Sequence, residues 1–251
     1  MTIVRTDIDL DSIVFAAGGH RSIEDGACIM EMVSYLAGEP WSDAPQCVAP
    51  SIRSFCMGWN DALPDAERTR LLRPYLTKVI GTNTGNPEHE LQRFWMLADW
   101  TVRTSTPAWL RLAGLEDDAR VLERLSELKT VDDLTRAQPL LEAAREHARA
   151  AGDAARDAAW DAAWAAARAA AWDAARAAAR DAARDAARAA ARDAAGDAAR
   201  DAAGDAAWAA AWDAAGAAAR EKLAPTVASL QASACELLDR LCAVGREDAA
   251  A

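Results

Sequence analysis

Residues 153–176 read DAARDAAWDAAWAAARAAAWDAAR, and the same four-residue unit, Asp or Ala followed by two alanines and then Arg, Trp or Gly, continues to Arg220. Alanine loses no side-chain entropy on ordering and is the strongest helix former, so the tract reads as α-helix. Pro139 suits a first turn, where its missing N–H leaves nothing unsatisfied, and Pro225 should end the helix. One helix from about Pro139 to Leu223 is expected. At ~1.5 Å per residue it would be roughly 126 Å long.

A period of four decides how such a helix can pack. Each repeat overshoots a full turn by about 40°, so the stripe winds right-handedly and no constant apolar face forms. This separates the tract from a heptad coiled coil. Two packings remain: crossings along four-residue ridges, where alanines allow close approach, or a continuous right-handed supercoil. Trp160, Trp164, Trp172, Trp208 and Trp212 are the interaction candidates, because a solvated spacer has no need of large apolar rings. Trp160 and Trp164 mirror Trp208 and Trp212 about a midpoint near Asp185 and Ala187, so an antiparallel pair would bring them together. The midpoint, DAARDAARAAAR, has no Gly or Pro for a turn, which favours a two-fold homo-oligomer over a hairpin. In a straight helix Trp160 and Trp212 face about 160° apart, so pairing requires winding or more than two helices. Asp–Arg pairs three apart support the helix weakly, and Gly196, Gly204 and Gly216 mark where it should yield first. A plain solvated spacer is the competing reading, since alanine helices of this length are stable in isolation.

Outward from the tract, residues 1–137 read as a globular domain of short helices. Ser22 with Asp25 forms a capping-box signature ahead of Ile23, Ile29, Met30, Val33 and Leu36, and Gly38 supplies a stop. Ile52, Phe55, Cys56 and Trp59 recur at helical spacing, as do Leu71 to Ile80 with a bend at Pro74, and Leu91 to Val102. Short helices are expected at Pro107–Leu112 and around Val121 and Leu122, and Trp59, Trp95, Trp100 and Trp109 are the expected core anchors. After Pro225 the apolar positions Val227, Leu230, Leu237, Leu238, Leu241 and Val244 define an amphipathic helix that needs something to pack against. The expected fold class is all-α, in three parts: a domain at 1–137, the alanine-rich helix at 138–223, and a C-terminal helix and tail at 224–251.

Composition excludes several function classes. Asp and Glu number 39 against 28 Lys and Arg, a net charge of −11, and basic stretches are matched by carboxylates, so a nucleic-acid partner is not expected. The alanine tract is interrupted by charge too often to span a membrane, and an amphipathic membrane or ice-binding helix is disfavoured because its polar stripe rotates and the repeat lacks Thr. Five cysteines and a start, MTIVRTDIDLD, without the regions of a signal peptide point to free thiols in a reducing cytoplasm.

Chemistry in the N-terminal domain has few candidates. His20, Glu24 and Cys28 lie four apart, with Glu31 a turn further and Cys47 in the next loop, and a helix covering them would group metal-capable side chains. A Cys28 or Cys47 nucleophile with His20 or His89 as base is the other possibility. Against both stands the absence of CxxC or HExxH spacing and the habit of buried thiols to act as small hydrophobes. No cofactor and no catalytic residue are expected. The segments GGHRSIEDGACIMEMVSYLAGEPWSDAPQC, WNDALPDAERTRLLRPYL and APTVASLQASACELLDRL resemble a group of uncharacterised proteins from actinomycetes and their phages that carry similar DAAR and DAAW tracts. The resemblance implies shared architecture and carries over no activity. The expected function is a non-enzymatic scaffold or interaction protein, self-associating through its Ala/Trp-rich rod toward a further protein partner. The alternative is a metal- or thiol-dependent site with the rod as an oligomerisation handle.

Overall fold

Ile29, Met30, Met32, Val33 and Leu36 leave α1 (Ile29–Leu36) buried on every side, and a helix of that kind belongs at the centre of a bundle. The computed structural model describes residues 5, 9–153 and 221–246, which are helices and connecting turns without a strand. The fold is all-α over these residues. The repeats at 154–220, and with them the single long helix, lie outside the described residues.

After α1, in chain order, come α2 (Pro50–Ala62), α3 (Asp65–Leu72), α4 (Pro87–Trp100), α5 (Thr106–Leu112), α6 (Glu116–Glu123), α7, described over 131–153, and α8, described over 221–243. Local chemistry accounts for most boundaries. Prolines open α2 and α4, where no N–H partner is required. The Asn86 side chain accepts from the Glu88 N–H at 2.9 Å. Pro74 ends α3 in a 3₁₀ turn at Arg73–Tyr75, the bend its ring enforces. A π turn at Thr101–Ser105 separates α4 from α5.

Four features differ from the sequence reading. The capping box sits at Cys28, whose sulfur accepts from the Glu31 N–H, while Ser22 precedes only a 3₁₀ turn at Ile23–Asp25. Gly26 at φ 116 explains this, because that conformation interrupts any helix running on from Ser22. The helix expected to begin near Pro139 is already formed at 131, set by a reciprocal cap: Thr130 Oγ1 accepts from the Asp133 N–H, and the Asp133 carboxylate accepts from the Thr130 N–H. Pro225, expected to end one helix and begin another, lies inside α8. Trp109, expected in the core, is 46% exposed, and its neighbour Leu110 takes the inward position on α5. Trp59 and Trp100 do pack against the core, with Phe55 between them at ring separations of 5.6 and 6.0 Å.

The chain divides into two compact units: Met1–Ala108, Asp117–Leu141 and Ala228–Ala251 form the first, Trp109–Glu116 and Glu142–Val227 the second. The C-terminal helix thus shares a folding unit with the N-terminal domain, which answers what its apolar face packs against. Leu237, Leu238 and Leu241 are 2% exposed or less and join one core with α1, Ile52, Leu72 and Leu76. Burying each such side chain stabilises by about 1.5–3 kcal/mol.

Polar bonds then fix the position of α8 on this first unit. The Tyr75 hydroxyl donates to the Cys235 carbonyl at 2.9 Å, the Trp100 indole N–H to Ser233 Oγ at 2.9 Å, and Lys78 pairs with Asp239 at 2.7 Å. Arg93 on α4 is 1% exposed; it donates to the carbonyls of Leu241 at 3.1 Å and Val244 at 2.8 Å, with Glu90 at 3.6 Å. These carbonyls belong to the unsatisfied end of α8, where a cation also complements the helix dipole. Arg68 does the same for α2, donating to the carbonyls of Asn60 and Leu63, each at 2.7 Å.

Arg93→Leu keeps the volume apolar but leaves two buried carbonyls without donors. It is expected to destabilise the protein by about 2–4 kcal/mol, read as a lowered urea midpoint, with Arg93→Lys recovering only part because one ammonium cannot reproduce the fork.

Candidate functional site

Glu31 is the one acidic residue in IMEMVSYL, an otherwise apolar and buried helix, and it is 3% exposed. A carboxylate so placed needs partners. Its Oε1 accepts from the His20 backbone N–H at 2.6 Å; its Oε2 accepts from the Cys28 N–H at 2.8 Å and meets His20 Nδ1 at 2.9 Å. The loop 16–28 is thereby drawn over the start of α1. The Trp41 indole N–H donates to the His20 carbonyl at 2.9 Å, the Asn60 amide to the Ala16 carbonyl at 2.9 Å, and Asp61 accepts from the Gly18 N–H at 2.8 Å. A side chain at Gly26 would approach the His20 ring to 2.8 Å, so glycine there both supplies the positive φ and leaves room for the imidazole.

Burial alone would raise the Glu31 carboxyl, but the His20 and Cys28 N–H groups and the His20 ring outweigh it and hold its pKa below the ordinary range. The N–H of Gly18, then the Asn60 side chain, lower Asp61 in the same way. The thiols move in the opposite direction. Burial pushes Cys28 up to about 12, with the Glu31 charge adding to it, and Cys47 up to about 11, helped by Glu39. Cys242 rises to about 11 and Cys56 rises further, both through burial. Thiols in this state are protonated at neutral pH and poor nucleophiles.

The proposed ligand set is therefore only partly assembled. His20 and Cys28 converge on Glu31, not through a shared helix face but through a loop folded back on an N-cap. Glu24 sits exposed on the Ile23–Asp25 turn, and Cys47 is held elsewhere, its N–H donating to Glu39 at 2.8 Å and its carbonyl accepting from Asn83 at 3.1 Å. Among the described residues, no three His, Cys, Asp or Glu side chains gather as a metal ion would need. His89 pairs with Thr84 Oγ1 at 2.8 Å and borders an open cavity of about 410 Å³ with Gln92, Met96, Arg240 and Gly245. Trp160, Trp164, Trp172, Trp208 and Trp212 lie outside the described residues.

A histidine oriented by a carboxylate is the pairing used in acid–base chemistry. Here, however, the carboxylate's oxygens are already occupied by two backbone N–H groups, and the neighbouring thiol is protonated. The arrangement binds a loop to a helix start. Comparison with family models, with curated proteins and with solved structures returned no match.

Because the native Glu31 carboxyl lies below its ordinary value of 4.5, its ionised form contributes stability that is present above that pH and is lost as pH falls through the native value. Glu31→Gln turns an acceptor into a donor facing N–H groups, and is expected to destabilise by about 1–3 kcal/mol at pH 7. Urea midpoints taken from pH 7 to 3 should show the gap between wild type and variant narrowing below pH 4.5, with the wild type carrying the steeper loss.

A second expectation concerns the thiols. A pKa raised from 9.0 to about 11 or 12 lowers the thiolate fraction on the order of a hundredfold or more, so Cys28 and Cys242 should alkylate at least that much more slowly in the native protein than in denaturant. Iodoacetamide labelling followed by peptide mapping measures this directly.

Proposed function

We propose that this is a non-enzymatic structural or interaction protein: a helical body that anchors both ends of the alanine- and tryptophan-rich tract and self-associates through that tract. The observation that carries this reading is the return of the chain. It leaves the first unit after Leu141 and re-enters it at Ala228, so the 142–227 segment is an insertion between two parts of one core. A folded body that takes such pains to hold both ends of a low-complexity segment is suited to presenting it.

The polar chemistry of the body supports the same reading. Its most elaborate cluster, around Glu31, is consumed in bonding a loop, and its thiols are held protonated. All five cysteines are free, which fits a reducing compartment such as the cytoplasm. No described helix is long and apolar enough to cross a membrane.

The His20–Glu31 contact is what favours the alternative, a metal- or thiol-dependent site in the body with the tract as its handle. Metal analysis of the purified protein separates the two. Stoichiometric metal that is lost in Glu31→Gln would replace the scaffold reading.

Self-association is tested by light scattering at tens of micromolar. The wild type is expected to run as an oligomer, and Trp160→Ala, Trp164→Ala, Trp208→Ala and Trp212→Ala combined are expected to raise its dissociation constant by at least about a hundredfold, given ~1–3 kcal/mol for each buried aromatic ring. A wild-type monomer across that range removes the proposal.

A further inference from the structure

The open cavity of about 410 Å³ is lined by one face of α4, from His89 to Met96, and by the end of α8, from Arg240 to Gly245. Both stretches belong to the first unit. The volume is that of a site for a small organic molecule. Its walls are held by bonds already described. Arg93, 1% exposed, donates to the carbonyls of Leu241 and Val244 and so fixes the end of α8 against α4. His89 Nδ1 lies 2.8 Å from Thr84 Oγ1, and a side-chain carbon at Gly245 would come within 2.4 Å of the same nitrogen. Gly245, at φ 74, therefore serves twice: it turns the chain at the helix end and lets the backbone pack on the imidazole.

The lining chemistry selects the ligand. No acidic side chain lines the cavity, although the chain as a whole carries a net charge of −11. Arg240 is exposed and, among the described residues, has no hydrogen bond or ion pair. The neighbouring carboxylates are engaged elsewhere: Asp239 with Lys78 at 2.7 Å, and Glu90 with the Ser51 N–H at 2.6 Å and Arg93 at 3.6 Å. An unpaired guanidinium beside the Gln92 amide calls for an anion, and Met96, Ala243 and Val244 add apolar contact. A phosphate dianion is recognised by N–H groups at the start of a helix. Here a helix ends, and its dipole disfavours a second negative charge. A carboxylate carries one charge on a planar pair of oxygens, which matches the guanidinium fork.

We propose that this cavity binds a small monocarboxylic acid in its ionised form, the carboxylate held by Arg240 and Gln92 and the apolar part lying against Met96, Ala243 and Val244. The site belongs to the body alone and stands independently of the tract and of self-association. A ligand seated there touches α4 and α8 together. It therefore stabilises by mass action the joint through which the body holds its C-terminal helix.

Met96 supplies the readout, with Met30 and Met32, both buried in the core, as internal references. Full-length protein carrying heavy carbon at its methionine methyls is titrated by nuclear magnetic resonance at constant ionic strength. The Met96 signal is assigned from Met96→Leu. Three probes are compared: phenylbutyrate, the uncharged phenylbutyramide of the same shape, and inorganic phosphate. Phenylbutyrate is expected to shift Met96 saturably while Met30 and Met32 stay in place, and phosphate is expected to leave all three unmoved. The amide should bind at least about tenfold more weakly, because it cannot engage the guanidinium as an ion. Arg240→Gln alters an exposed side chain and spares the fold, and it should weaken phenylbutyrate at least about tenfold, with Arg240→Lys recovering only part. Arg70→Gln removes the same charge from a surface pair with Glu67 and should change nothing. No Met96 shift with phenylbutyrate up to about 10 mM overturns the proposal, since that limit lies beyond even weak millimolar binding. Equal binding of the amide, or an Arg240→Gln variant that binds as wild type does, reveals a merely apolar hollow and overturns it too. A response to phosphate and none to phenylbutyrate has the same consequence.

Discussion

Arg93 is a guanidinium 1% exposed inside a helical core, and its hydrogen bonds close on the last turn of a helix that arrives about 150 positions later. Without α8 that charge would have Glu90 beside it and little else, and an uncompensated buried charge is among the strongest destabilising features a domain can contain. With α8 in place, the same group satisfies two orphan carbonyls and neutralises the negative end of the helix dipole. The N-terminal body and the C-terminal helix therefore require one another. The apolar contribution points the same way, because Leu237, Leu238 and Leu241 lie in the core that α1 occupies.

The same logic recurs at smaller scale. Short helices have many ends relative to their length, and each end exposes backbone groups that burial makes costly. Arg68 closes α2, Arg93 closes α8, and Glu31 opens α1 while holding loop 16–28 against it. Each of these three is a charged side chain under 5% exposed, and each is occupied with backbone atoms. In this body buried charge serves to terminate helices. Catalytic poise would require a group left available to a substrate, and the Glu31 oxygens and the Cys28 thiol are not available in that sense.

How much could be read in advance follows from where the information resides. Apolar spacing over Ile52 to Trp59 and the proline at 74 located a helix and a bend correctly, because periodicity and proline geometry are local. The capping box was misplaced from Cys28 to Ser22, because Ser is the commoner cap and the interruption comes from Gly26, whose positive φ only the folded loop reveals. His20, Glu24 and Cys28 are four apart, which suggested one helix face; the loop instead brings His20 to Glu31 and leaves Glu24 outside. Trp109 looked like a core residue from its size alone, yet size does not say which way a short helix faces. Glu31 carried a legible signal, a lone carboxylate in an apolar run, but its partners did not.

By itself the sequence determined the all-α class, the helical stripes of the N-terminal domain, the acidic balance and the existence of a four-residue alanine repeat, since propensity, period and charge are properties of neighbouring residues. It also showed that the segment after Pro225 has an apolar face in want of a partner. Tertiary structure alone decided what that partner is. Arg93, Tyr75, Lys78 and Trp100 meet α8 across separations that no local pattern encodes, and those contacts convert three apparent segments in a row into one core interrupted by an insertion.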